Sequence, residues 1–243
     1  GENGAYMQWY KAIFLQNKRL PAPDSFQSTI NFVAIVKEIV GSNNFDIAEL
    51  RKYASQIIGY VEKNGREVVI TNNNIYANNQ QFPKIVDKFR IGFFGDTPIA
   101  LIFNGVSAKA LNIETQSYLY SNEKEFEVNC KDIMSYNGRL FYQSGQYIYE
   151  LILIGKNVSS KMIASVMPES TKIYQGLAIQ DMFSSRIVSV FPEAGHHKQI
   201  KIDELVGLEI TEAKFENKVL MVVAINRVDG QYTRFIFRFS DNY

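Results

Sequence analysis

Cysteine is nearly missing from this chain: Cys130 stands alone among 243 residues. An intramolecular disulfide and a cysteine-rich zinc site are therefore excluded, and packing has to supply the stability. Cys130 lies in an alternating run, Phe126-Glu127-Val128-Asn129-Cys130, with no cation cluster to hold a thiolate, and reads as a small buried apolar residue. Histidine is almost as scarce, with His196 and His197 side by side. Neighbours on a strand point to opposite faces, and no carboxylate or cysteine stands near this pair at ligand spacing, so no metal is expected. A histidine-based triad would have to be built around that one loop, and no G-x-S-x-G elbow supports it. Charge of one sign is missing too. The formal net charge is +1, so no bulk field selects nucleic acid, an anionic membrane or an acidic partner. No apolar run approaches the roughly 20 residues of a membrane helix, and no membrane association is expected. No leader is visible, although a chain beginning Gly1-Glu2-Asn3 says little on that point. The sequon Asn157-Val158-Ser159 would matter only in a secreted protein.

The residues that are present suit a globular protein, with 46% apolar and 21% charged side chains, so disorder is not the default. The first part reads as helical. Tyr6 to Asn17 places Trp9, Ile13 and Phe14 near one face, and Pro21-Ala22-Pro23 stops it. Ile30 to Val40 ends at Gly41, a left-handed exit. A third helix is expected from about Asp46 to Glu62, because Ile47, Leu50, Tyr53, Ala54, Ile57, Ile58 and Val61 recur at three- and four-residue spacing. Asp46 and Glu49 would form a variant capping box, and Lys63-Asn64-Gly65-Arg66 would close the helix. The expected organisation is a helical region over 1–66 and a β-repeat domain over 67–243.

From residue 67 the period changes to alternation. Glu67–Thr71, Ile75–Ala77, Ile99–Phe103, Tyr118–Tyr120 and Phe126–Cys130 read as strands. Gly92-Phe93-Phe94-Gly95-Asp96-Thr97 lacks the Lys-Ser/Thr of a phosphate loop and reads as a turn between strands. Three later segments share one pattern of apolar alternation, an acid, then a base followed by two apolar residues. They are Val128–Ile133 with Arg139-Leu140-Phe141, Leu177–Met182 with Arg186-Ile187-Val188, and Leu208–Ala213 with Lys218-Val219-Leu220. Each leads to a glycine turn, at Gly145, Gly195 and Gly230, and then to a strand: Tyr147–Ile154, Lys198–Ile202 and Tyr232–Phe239. In the last strand Thr233, Phe235, Phe237 and Phe239 share one face while Arg234 and Arg238 take the other. The opposed charges of each repeat read as cross-strand pairs that fix register.

A three-strand meander recurring at such intervals resembles a β-propeller over about residues 126–239. The resemblance is architectural. It carries no WD40 or kelch signature, no specific family and no catalytic residues. Three units are fewer than a closed ring requires. Either residues 67–120 supply degenerate blades, or sequence beyond this chain completes the ring, or the meanders form a curved sandwich. The fold class expected is mainly β with a helical N-terminal region.

No constellation calls for catalysis or a cofactor. Glu212-Ala213-Lys214, with Asp203 upstream, imitates the acid–x–Lys strand of metal-dependent nucleases or other phosphoesterases. Against that, Glu212 fills the position that Asp132 and Asp181 fill in the sister repeats. Aromatic residues are plentiful, and Tyr136, Phe141, Tyr142, Tyr147 and Tyr149 cluster in the first repeat. With Trp9 these tyrosines are the candidate binding residues, although packing is the commoner use of such side chains. Base stacking normally comes with a basic groove, which the charge does not offer. The sequence thus favours a non-catalytic binding or structural module that presents loops and an aromatic-rich sheet face to a protein partner or to its own copies. The Asn-, Ile- and Tyr-rich style suggests an intracellular or virion assembly component. A metal-dependent phosphoesterase and a carbohydrate-binding module are the rival readings.

Overall fold

The computed structural model describes residues 49–239, all within the compact unit Val36–Tyr243. Among the described residues the regular elements are β-strands and two short 3-10 turns. Five antiparallel sheets follow one another along the chain as the blades of a β-propeller. Blade I holds β1 (Ile57–Lys63), β2 (Arg66–Thr71), β3 (Asn74–Ala77) and β4 (Gln80–Pro83). Blade II holds β5 (Lys88–Phe94), β6 (Thr97–Phe103) and β7 (Ser107–Asn112). It is extended by the short β8 (Ser117–Tyr118), and its last strand is β11 (Glu127–Asn129). Between them β9 (Tyr120–Ser121) and β10 (Lys124–Glu125) form a separate small hairpin. Blade III runs through β12 (Asp132–Tyr136), β13 (Arg139–Ser144), β14 (Tyr147–Ile154) and β15 (Asn157–Ser165). Blade IV runs through β16 (Thr171–Tyr174), β17 (Leu177–Met182), β18 (Ser185–Val190) and β19 (Lys198–Lys201). Among the described residues blade V has β20 (Leu208–Glu216), β21 (Val219–Asn226) and β22 (Tyr232–Arg238).

The first strands of neighbouring blades lie side by side. The Phe93 amide on β5 donates to the Gly138 carbonyl just beyond β12 at 2.7 Å, and the Phe215 amide on β20 donates to the Gln175 carbonyl just beyond β16 at 2.9 Å. Gln175 and Lys214 form a parallel bridge. Cores form where one blade covers the next. Val68, Ile75, Phe93, Ala100 and Leu111 join blades I and II. Ile99, Leu101, Leu140, Leu151 and Val158 join II and III, and Phe141, Ile148, Ala178 and Phe191 join III and IV. Each fully buried side chain of this kind contributes about 1.5–3 kcal/mol. The approach is close enough to require glycine at Gly176, where a Cβ would stand 2.7 Å from the Phe215 carbonyl oxygen and the backbone has φ +81°.

Two expectations need correction. Over the described part of the helix expected from Asp46 to Glu62, residues 49–56 have no regular structure and Ile57–Lys63 is a strand. The deciding feature is Asn64-Gly65, with φ of 53° and 75°, a two-residue turn of the kind that joins twisted hairpin strands. It pairs β1 with β2 from Lys63↔Arg66 to Ile57↔Thr71. The segments expected to be helical over 6–17 and 30–40 lie outside the described residues. The second correction concerns the first repeat. Val128–Ile133 is not one strand, because β11 pairs with β7 to end blade II and β12 opens blade III. The chain crosses at Cys130 and Lys131, whose amides donate to Val106 in blade II and to Gln143 in blade III. The second repeat falls on β17–β19, with β16 ahead of it, and the third matches β20–β22.

Candidate interaction surface

In a meander the turns after the first and third strands lie at one end, and the turn after the second strand shares the other end with the connector to the next blade. Because the first strands lie side by side in the same direction, these ends coincide from blade to blade. At the first end the turns after the first strands are Asn64-Gly65, Gly95-Asp96, Asn137-Gly138, Gln175-Gly176 and Asn217-Lys218, none with a large apolar side chain, while beside the β14–β15 turn at the same end Leu153 and Ile154 are exposed. The second end is tied together by Lys88 to Asp132 at 2.5 Å, by Lys131 to the Pro168 carbonyl, and by the Val166 amide to the Gln146 carbonyl at 2.8 Å.

This second, connector end carries apolar tips. Val86, in the link from blade I to II, is 91% exposed, and Val106, in the β6–β7 turn, is 70% exposed. Val228, between β21 and β22, reaches 94%, and Phe183, between β17 and β18, reaches 108%. Met167 and Val206, in the two later connectors, are exposed as well. Phe183 is held at φ 31° in the two-residue turn between the paired Met182 and Ser185. A bulky residue at positive φ is uncommon, and here its ring gains no burial in return.

A buried ion pair lies at the joint of blades III and IV. Arg139 approaches Glu150 at 3.5 Å and donates to the carbonyls of Glu193, at 2.7 Å, and Phe191. Glu150 also accepts the Gly195 amide at 2.8 Å. The guanidinium lies over the rings of Tyr136 and Phe141, at 5.9 and 5.1 Å. Burial lowers the pKa of Arg139 first of all, and the neighbouring Glu150 works against that shift. These contacts make it a clamp that fixes the 191–195 loop, with its hydrogen bonds committed to structure. Burial likewise pushes the phenols of Tyr136, Tyr142 and Tyr174 up, and the Tyr174 hydroxyl donates to the Ile210 carbonyl of blade V at 3.2 Å.

The candidate residues read from the sequence are scattered over these joints. Tyr136 meets Phe215 of blade V, ring to ring, at 5.4 Å. Tyr142 is buried and stacked on Tyr149 at 5.1 Å, and Tyr147 meets Tyr149 edge-on at 6.2 Å. Tyr147 and Tyr149 keep part of their surface in solvent. Trp9 lies outside the described residues. Glu212 is exposed on β20, where Lys214 pairs with Glu216 at 2.5 Å, while Asp203 pairs with Lys201 at 3.1 Å. Among the described residues no three His, Cys, Asp or Glu side chains stand where they could hold a metal together. Of the expected acid–base pairs Asp181–Arg186 forms as drawn, on directly opposed residues of β17 and β18. Arg139 turns instead to Glu150, and Asp132 to Lys88. A separate cleft of about 370 Å³ opens between the β9–β10 hairpin and β15, lined by Ser121, Lys124, Glu125, Glu127, Ser159 and Ser160.

The apolar tips escaped the sequence reading. Each is a single residue in a turn, and it gains meaning only when the topology gathers the turns at one end. No helix among the described residues is long and apolar enough to cross a membrane.

No protein-family model matches the chain, and no curated protein matches it. Solved structures do. The N-terminal domain of Nup159 is similar over 74% of this chain and 60% of its own, at 11% identity and a TM-score of 0.37. Apo AztD from Citrobacter koseri is similar over 76% of this chain and 60% of its own, at 12% identity and a TM-score of 0.40. The chain thus spans about three-fifths of the length of either.

Proposed function

We propose that this chain is a non-catalytic binding or assembly module that meets a protein partner through the connector end of its propeller. The observation that carries the reading is the row of exposed apolar tips there, with Phe183 as the anchor. An aromatic ring that leaves water on binding is the kind of side chain that dominates an interface, with smaller apolar neighbours excluding solvent around it. Net charge near zero gives nucleic acid and anionic lipid no long-range attraction, and at the connector end shape and apolar contact are the means of recognition. Tyr147 and Tyr149 extend the contact surface along blade III, and a place in a viral assembly belongs to the same reading.

The test compares the wild-type chain with a Phe183→Ser, Val228→Ser double variant. Both positions are fully exposed, so thermal stability should hold. Light scattering reads self-association, and affinity capture from the source lysate reads partners. The double variant should lose the self-contact or the retained band that the wild type shows. Equal behaviour of the two would remove the connector end from the reading. A wild-type chain that neither self-associates nor retains anything would remove the module reading itself.

One observation favours a second reading. The cleft beside β15 is lined by serine hydroxyls, carboxylates and a lysine around Phe126 and Val128, a mix of polar groups and apolar surface that suits a polyhydroxylated ligand such as a glycan. Glycan-array binding that Ser160→Trp abolishes would support it, and an array with no signal would end it.

A further inference from the structure

Among the described residues blade V holds three strands. Blades I, III and IV each hold four strands, and blade II adds β11 beyond β7, but no described strand follows β22 in blade V. The hydrogen-bond phase of β22 is fixed at both of its ends. The Asn226 amide donates to Gln231 at 3.0 Å, and the Phe239 amide donates to Lys218 at 2.9 Å. With the register running from Ile225↔Tyr232 to Val219↔Arg238, the odd-numbered residues bond inward to β21. Tyr232, Arg234, Ile236 and Arg238 therefore turn their amides and carbonyls outward, and among the described residues no strand takes them up.

The same four side chains share one face of the sheet. Tyr232 is 69% and Ile236 61% exposed, and Met221 beside Ile236 is exposed too. Arg234 and Arg238 are exposed and have no ion-pair partner among the described residues. The edge is seven residues long, without proline or bulge. Among the described residues, its charges are the protection it has against strand addition. Those charges also choose among partners. Pairing with the β22 of a second copy would gather four arginines on one face, whereas an acidic strand would neutralise two.

We infer that β22 is a docking edge for an extended segment of another protein, which adds as the fourth strand of blade V and sets acidic residues opposite Arg234 and Arg238 and an apolar residue opposite Ile236. The recognised pattern is acid–x–apolar–x–acid, with main-chain hydrogen bonds supplying affinity and the alternate side chains supplying selectivity. This inference rests on the binding-module reading but uses a different surface from the connector end.

The test uses the full chain and a fluorescein-labelled peptide of sequence Glu-Thr-Val-Thr-Glu-Thr-Val, read by anisotropy and by amide exchange. Binding should slow exchange in the segment 232–238. The Arg234→Glu, Arg238→Glu variant should bind about tenfold more weakly, as expected for two cross-strand charge pairs. A peptide with lysine in place of glutamate should restore that variant. Ile236→Pro, which removes one outward amide and no bond to β21, should abolish binding, and the unchanged thermal stability of the double-glutamate variant controls for folding. Phe183→Ser should bind the peptide like the wild type, which separates failure here from failure at the connector end. Binding that ignores the charge reversal, protection elsewhere, no binding at millimolar peptide, or a dimer that protects the same amides would each overturn the assignment.

Discussion

Blades III and V are built by the same alternation and end in opposite circumstances. In blade III both faces are covered: Leu140, Leu151 and Val158 pack toward blade II, and Phe141, Ile148 and Ile163 toward blade IV. In blade V one face holds Leu220, Val222 and Ala224 away from solvent, while Met221 and Ile236 on the other stand in it. The two environments change from one residue to the next along β21. A strand's pattern therefore does not state whether its second face is core or contact surface. The neighbour decides that, and where the described chain offers no neighbour an apolar second face marks where one could dock.

The sharpest way to break the comparison is to attack the joint that blade III has and blade V lacks. Glu150→Ala leaves Arg139 buried without its carboxylate and the Gly195 amide without its acceptor, and should cost about 3–5 kcal/mol in chemical denaturation. Removing the exposed charge of Glu212 should stay within about 0.5 kcal/mol. Phe141→Ala empties a site packed against the tilted ring of Phe191 at 5.3 Å and should likewise cost about 3–5 kcal/mol. Ile236→Ala on the open face of blade V should again stay within about 0.5 kcal/mol. If the two apolar truncations cost the same, the outer face of blade V is core, and the docking edge loses its basis. Gly176→Ala probes the closeness of the blades IV and V directly. A Cβ there meets the Phe215 carbonyl and the Tyr136 ring at a positive φ, and about 2–3 kcal/mol should be lost.

How much of this was legible before the structure follows the same division. Blade V was readable in full because Phe235 and Phe237 alternate with Arg234 and Ile236 without interruption, and β20–β22 match the third repeat. The start of blade I was not. Ile57, Ile58 and Val61 satisfy a helical spacing as well as a strand, and in sequence a two-residue turn at Asn64-Gly65 is indistinguishable from a helix exit. The first repeat was misplaced because β11 and β12 are separated by two residues, too few for a sequence to show that the chain changes sheets between them. The tyrosine cluster was legible as a cluster. Its partial burial was not, since that depends on how Tyr142 and Tyr149 stack within blade III. The connector-end tips and the outward edge of β22 are consequences of topology, and no local pattern announces them.

The smallest expected effect concerns the crossing from blade II to blade III. Burial above all, helped by the neighbouring Asp132 and opposed by Lys88, pushes the Cys130 thiol up to about 11. The folded chain thus holds this proton more tightly than the unfolded chain, whose thiol titrates near its ordinary value. The stability that burial of the neutral thiol provides is complete below the ordinary thiol range and is lost as pH rises through that range toward about 11. Two readouts check it. Labelling by a thiol reagent at pH 8 should be slow in the folded chain and fast in denaturant. A Cys130→Ala variant should lose less stability than the wild type between pH 9 and 11. Fast labelling of the folded chain would mean that the crossing opens readily, and the joint between blades II and III would then belong with the open face of blade V rather than with the closed faces of blade III.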